Sequence, residues 1–113
     1  MDNRNLTMLM DLYELTMANG IFDTELRDTL TFFDMFFRRI PDDGGYAVMA
    51  GISQLIEYLN SLHFDDSDIE YLRSLGLFSN QFIEYLRDFK FECDVWAVPE
   101  GTPIFPQEPI VTV

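Results

Sequence analysis

The sequence is poor in positive charge, has a single cysteine and a single histidine, and contains no long apolar run. Its 7 Lys and Arg stand against 20 Asp and Glu, which gives a formal net charge of -13 at pH 7. Because this charge repels phosphate backbones and anionic bilayers, the composition argues against nucleic-acid and membrane partners. No stretch approaches the roughly 20 apolar residues of a membrane span, and the N-terminus lacks the apolar core of an export signal.

The scarcity of thiol and imidazole groups limits redox and metal chemistry. Cys93 has no second cysteine to pair with, so we expect a reducing, cytoplasmic compartment. Cys93 and His63 cannot complete a zinc site by themselves. The run DDGG at residues 42–45 is typical of a turn rather than of a calcium loop. The sequence therefore predicts no metal site in this segment.

Apolar and aromatic residues are abundant instead. The 113 residues are 48% hydrophobic and 15% aromatic, which suits one domain with a bulky core, or apolar surface that another domain or subunit covers. No linker or repeat divides the chain, so we predict a single domain over residues 1–113. The chain ends in the β-branched run Ile110–Val113 with no turn after it. We therefore expect these residues to continue into a longer protein.

The opening segment Thr7–Ala18 (TMLMDLYELTMA) is unusually apolar for a helix that also carries polar groups. Two apolar stripes at helical spacing predict a helix over Leu6–Met17 that is buried nearly all round, between layers or against another subunit. The D-x-x-E pattern at Asp11–Glu14 favours a different boundary, in which a capping box starts the helix at Leu12. Taken alone, Tyr13 is either core packing or a ring and hydroxyl presented to a partner.

Further helices and several strands follow. Apolar residues recur at helical spacing from Val48 to Leu62, a capping box at Ser67–Glu70 opens a helix that Gly76 closes, and Ser79 is placed to cap another. Residues 29–37 read as a strand covered on both sides, and residues 91–98 alternate like a strand. Prolines at 103, 106 and 109 delimit two more short strands.

Arg38 and Arg39 are the only adjacent positive charges in this acidic chain. They follow a predicted strand and precede a loop, where forked guanidinium groups are suited to phosphate oxygens. The alternative is an ordinary salt-bridged pair. If the strand continues through both residues, their side chains point to opposite sides, so the sequence does not choose between them.

Four segments in order, LMDLYELTMANGIF, FDMFFRRIPDDGGYAVMAGISQLIEYL, DDSDIEYLRSLGLF and VWAVPEGTPIFPQEPIVTV, resemble the beginning of nicotinate phosphoribosyltransferases. The resemblance implies an α+β fold, the N-terminal domain of a type II phosphoribosyltransferase. Its helices would pack on short, mostly antiparallel strands, beside a barrel domain absent from this chain. It also implies that the chain is truncated relative to the complete enzyme.

The resemblance implies a glycosyl-transfer reaction in NAD salvage. Nicotinate and phosphoribosyl pyrophosphate would give nicotinate mononucleotide, with ATP hydrolysis coupled to turnover and with Mg and ATP as cofactors of the complete enzyme. It implies a homodimer whose active site is shared between subunits. We expect this segment alone to be inactive, to bind no cofactor and to carry no catalytic residue.

The resemblance also implies site residues. Tyr13 would stack on the pyridine ring in the site of a partner subunit, with Asp11 and Thr16 on the same nicotinate side, and Arg38 or Arg39 would meet a phosphate. Asp11 and Tyr13 lie about 200° apart on a regular helix, so both face one ligand only if Asp11 lies at or before the helix start. The alternative to an enzyme segment is a non-catalytic acidic module for dimerisation or protein interaction.

Overall fold

The computed structural model describes residues 4–113. This part of the chain holds helices α1 (Leu12–Phe22), α2 (Ile52–Ser61), α3 (Asp66–Leu75) and α4 (Asn80–Arg87), strands β1 (Asp34–Met35), β2 (Ala47–Val48), β3 (Trp96–Ala97), β4 (Pro103–Ile104) and β5 (Val111–Thr112), and 3-10 turns at Glu25–Asp28 and Pro41–Asp43. All strand pairs are antiparallel. The predicted α+β class is confirmed. Among the described residues, no helix combines the length and apolar character needed to cross a membrane.

The chain forms two compact units, each built from two segments. The first comprises residues up to Thr29 together with Tyr58–Phe91, and the second comprises Leu30–Glu57 and Glu92–Val113. The single domain over residues 1–113 stays a prediction.

The core of the first unit lies between α1, α3 and α4. Ile69 and Leu72 of α3 and Ile83 of α4 are almost completely inaccessible to solvent, and Leu15 of α1 joins them. Their spacing of three or four residues along each helix places the apolar side chains on one face. The ring of Phe22, at the end of α1, lies 5.6 Å from that of Phe82 in α4.

Local capping signals set the ends of α3 and α4. The carboxylate of Asp65 accepts the N–H of Asp68 at 2.9 Å, and the carboxylate of Asp68 accepts the N–H of Asp65 at 3.0 Å. This capping box begins two residues before the predicted box at Ser67–Glu70, so the predicted position is wrong. The box can form at Asp65 because an aspartate at N3 closes it as a glutamate does. Gly76 ends α3 with a left-handed φ of 64°, and the Ser79 hydroxyl caps α4, as predicted.

The second unit holds a three-stranded sheet ordered β1-β5-β3 and a separate β2-β4 pair. Met49, Ile104 and Val111 form its buried core. The strand predicted over residues 29–37 shortens to β1, and Phe33 is 72% exposed, so the coverage on both sides is wrong within this chain. The strand predicted over residues 91–98 shortens to β3. Both lie at sheet edges and pair only with the short β5, which limits their length.

Candidate functional site

The start of α1 carries three of the predicted site residues: Asp11 before the helix, Tyr13 in its first turn and Thr16 in its second. The helix begins at Leu12, as the alternative boundary predicts, and Asp11 is the N-cap residue with extended backbone angles (φ -76°, ψ 140°). The Asp11 carboxylate nevertheless makes no cap hydrogen bond. The predicted capping box is therefore wrong at this helix, although the predicted start at Leu12 is correct.

Tyr13 lies on the exposed side of this turn. Its side chain is 59% exposed, so the ring is available to a ligand or a neighbouring chain. Thr16 is half-buried, and its hydroxyl donates to the carbonyl oxygen of Tyr13 at 3.0 Å within the same helix. Leu15 is the buried residue of α1. The prediction of a helix buried nearly all round is therefore wrong for this chain by itself.

An open depression lies beside the start of α1. Its volume is about 390 Å³, and its lining residues are Leu9, Met10, Asp11 and Glu14. This volume is in the range of small-ligand sites. The two carboxylates would repel an anionic ligand, so the depression does not by itself suit the carboxylate of nicotinate. A ligand on the ring of Tyr13 would need further groups from elsewhere.

Arg38 and Arg39 lie in a bend that begins three residues after the end of β1, and both are exposed. Neither guanidinium forms an ion pair or a hydrogen bond with another residue in the described range 4–113. The alternative of an ordinary salt-bridged pair is therefore not observed there. The turn that follows is strained, because Asp42 and Asp43 have left-handed φ angles of 58° and 51°. These arginines belong to the second unit, whereas Asp11, Tyr13 and Thr16 belong to the first.

Two residues have structural roles that the sequence only partly indicates. The ring Nδ1 of His63 lies 2.6 Å from the carbonyl oxygen of Ser61, and the backbone N–H of His63 donates to the hydroxyl of the buried Thr7 at 3.1 Å. A turn lies at Glu100-Gly101, where Gly101 has a φ of 79°. The carboxylate of Glu100 additionally caps α2, a long-range contact for which the sequence carries no signal.

Comparison with known proteins gives consistent results. The family model for the nicotinate phosphoribosyltransferase (NAPRTase) N-terminal domain matches residues 8–113. The nicotinate phosphoribosyltransferase pncB2 of Mycobacterium tuberculosis is 43% identical over 104 residues, which are 92% of this chain and 22% of that protein. The nicotinate phosphoribosyltransferase of Bacillus subtilis is 38% identical over 109 residues, 96% of this chain and 22% of that protein.

The fold is also similar to a solved structure. The crystal structure of human nicotinic acid phosphoribosyltransferase superposes with a TM-score of 0.78 at 32% identity, covering 91% of this chain and 21% of that chain. The chain thus spans about a fifth of the length of the relatives it matches.

Proposed function

Because this chain belongs to the nicotinate phosphoribosyltransferase N-terminal domain family, we propose that it is the N-terminal part of an enzyme that forms nicotinate mononucleotide. The substrates would be nicotinate and phosphoribosyl pyrophosphate, and the reaction would serve NAD salvage with coupled ATP hydrolysis. The enzyme would be a cytoplasmic homodimer. This segment would supply part of an active site that the second subunit and the rest of the protein complete, so the segment alone would be inactive.

The observation that carries the proposal is the exposed ring of Tyr13 on the first turn of α1. A flat, electron-poor pyridine ring stacks on a tyrosine ring with a gain of about 0.5–1.5 kcal/mol beyond the area buried. By stacking, the ring would orient the nicotinate so that its nitrogen faces the ribose carbon. Asp11, the residue at the helix start, and Thr16 would lie on the same nicotinate side.

The phosphate side of the proposed site is assigned to Arg38 or Arg39. Displacement of pyrophosphate builds negative charge on the leaving group, which guanidinium groups neutralise through paired hydrogen bonds. Both side chains are exposed, and neither is paired with a carboxylate within residues 4–113. A guanidinium that is not paired with a carboxylate has its N–H donors available to phosphate oxygens.

Mg²⁺ and ATP are the cofactors we propose for the complete enzyme. Between residues 4 and 113, no group of three or more His, Cys, Asp or Glu side chains is arranged to hold a metal ion. The steps assigned to Tyr13 and to the arginines do not pass through either cofactor.

Replacement of Tyr13 in the complete protein tests the proposal. Tyr13→Ala removes the stack and should lower kcat/KM for nicotinate about tenfold, the factor that corresponds to about 1.4 kcal/mol. Tyr13→Phe keeps the ring and should retain most of the activity. The matched control is Tyr71→Ala, because Tyr71 is 56% exposed on α3 and has no assigned role. Equal kinetics for Tyr13→Ala and Tyr71→Ala would remove Tyr13 from the site.

The arginine assignment has a separate readout. We would make Arg38→Ala and Arg39→Ala as single variants. At least one of them should raise KM for phosphoribosyl pyrophosphate, while KM for nicotinate changes little. Arg27→Ala is a suitable control, because Arg27 is an exposed arginine that pairs with Asp28. If neither variant differs from this control, the phosphate side lies elsewhere.

A further inference from the structure

A polar clamp holds the C-terminal end of α1 against the start of α4. The side-chain oxygen of Asn19 accepts the backbone N–H of Ser79 at 2.8 Å, and its NH₂ group donates to the carboxylate of Asp23 at 3.1 Å. The Ser79 hydroxyl donates to the other oxygen of Asp23 at 3.0 Å and accepts the N–H of Phe82 at 3.2 Å. Every side-chain polar group of Asn19 and Asp23 therefore has a defined partner in this clamp.

The clamp adds directional contacts to the apolar packing of α1, in which Leu15 is buried and Ala18 and Phe22 are packed against the same core. Leu15 is its one buried residue, and the apolar contact at its C-terminal end is the packing of Phe22 on Phe82 and Tyr85, with ring centroids 5.6 and 5.0 Å apart. Apolar packing is non-directional, so it restricts sliding and rotation of the helix less strictly than hydrogen bonds do. Directional hydrogen bonds restrict both movements, since their strength falls steeply as the angles change.

We propose that Asn19 is a positioning residue for nicotinate, acting through the clamp on the direction of α1 and hence on the ring of Tyr13. This inference rests on the proposed function, because it assumes that Tyr13 contacts the pyridine ring. Tyr13 precedes Asn19 by six positions, about 9 Å along the helix axis. A tilt of about 10° at the clamp therefore moves the tyrosine by about 1.6 Å, and a displacement near 1 Å can cost up to about a hundredfold in rate.

The clamp permits a test in which its hydrogen bonds are broken and then restored. Asn19→Asp replaces the NH₂ donor with an oxygen that faces the Asp23 carboxylate, so the two groups repel each other. Adding Asp23→Asn exchanges the two side chains. The new carboxylate at position 19 would accept from the Ser79 N–H and from the new amide at position 23, which in turn would accept from the Ser79 hydroxyl. The double exchange keeps the net charge and every bond of the clamp.

The assay is steady-state kinetics of the complete protein. We expect Asn19→Asp to lower kcat/KM for nicotinate about tenfold with little change in KM for phosphoribosyl pyrophosphate, and the exchange variant to recover to within about twofold of wild type. Asn60→Asp is the matched control, because Asn60 is an exposed helical asparagine without a side-chain hydrogen bond in the described part of the chain. A loss that the exchange does not repair would overturn the inference.

A double-mutant cycle with Tyr13→Ala separates this inference from the proposed function. If Asn19 acts through Tyr13, Asn19→Asp causes no further loss in the Tyr13→Ala background. A loss of equal size in both backgrounds overturns the positioning role while the role of Tyr13 stands. If Tyr13→Ala alone has no effect on the kinetics, both the positioning role of Asn19 and the proposed role of Tyr13 are overturned. If Asn19→Asp does not fold, Asp23→Ala, which removes both bonds of the exposed Asp23 side chain, takes its place in the cycle.

Discussion

The carboxylate of Glu100 caps α2 from a turn 48 residues after the helix start. One carboxylate oxygen accepts the N–H of Gly51 at 2.9 Å and the N–H of Ile52 at 2.7 Å. Glu100→Ala leaves both N–H groups to water at the positive end of the helix dipole. Loss of an N-cap costs about 0.5–2 kcal/mol, and a hydrogen bond to a charged group about 1.5–3 kcal/mol. Because Glu100 is exposed and water replaces part of the loss, we expect about 1–2 kcal/mol.

Hydrogen exchange at the amides of Gly51 and Ile52 measures this cap directly. A loss of about 1–2 kcal/mol corresponds to exchange about 5- to 30-fold faster. Glu100→Gln keeps an oxygen acceptor without the charge and should show roughly half the effect in free energy. Glu108→Ala, at another exposed glutamate of the same unit, is the control. If Glu100→Ala and Glu108→Ala exchange at the same rates at these amides, the capping role is refuted.

Two further predictions concern stability in the first unit. Leu72 is 0% exposed, so Leu72→Ala should reduce the free energy of unfolding by about 2–5 kcal/mol in urea titrations, whereas Leu77→Ala, at a 54% exposed site, should change little. The Ser67 hydroxyl and then the N–H of Asp68 lower the pKa of Asp65 below its ordinary 3.8. The stability that ionised Asp65 contributes is therefore present above pH 3.8 and is lost as the pH falls through the lowered pKa. The Tm difference between wild type and Asp65→Asn should consequently shrink below about pH 4. A Tm difference that stays constant with pH would contradict this.

The helical part of the fold is predictable because its signals are local. The left-handed Gly76 and the hydroxyl of Ser79 act within one turn of the helix ends they define. The capping box of α3 is displaced by two residues from the prediction, since Asp65 and Ser67 offer competing caps and only the backbone geometry selects Asp65.

The strands are less predictable because a strand exists only where a neighbour pairs with it. Met35 pairs with Val111, and Ala97 pairs with the same residue from the other side of β5. Alternation over residues 91–98 carries no information about the length of β5, so the sequence overestimates β3. The Glu100 cap is not predicted from the sequence for the same reason, because it depends on bringing together two distant turns.

At the candidate site, the sequence does not predict whether an apolar side chain is covered by its own chain or by another. The apolar residues of α1 divide between two sides of the helix. Leu15, Ala18 and Phe22 share the side that packs into the core of the first unit, whereas Tyr13 and Met17 lie on the exposed side. A hydrophobic pattern indicates that a side chain is buried, but the pattern does not indicate which chain covers that side chain.

The apolar side chains on the exposed side of α1 favour the proposed homodimer, whereas the net negative charge of the segment opposes it. Two copies of a segment with a formal charge of -13 repel each other, and this repulsion extends about 10 Å at an ionic strength near 0.1 M. Association through α1 must therefore come from the apolar area of side chains such as Tyr13 and Met17, which is short-ranged and insensitive to charge. Association of two copies of this segment through α1 should consequently tighten as salt is raised, because screening removes the repulsion and leaves the apolar contact. Sedimentation of the segment at low and high salt measures this, and a dimer of the segment that dissociates in high salt would instead indicate an interface held by ion pairs.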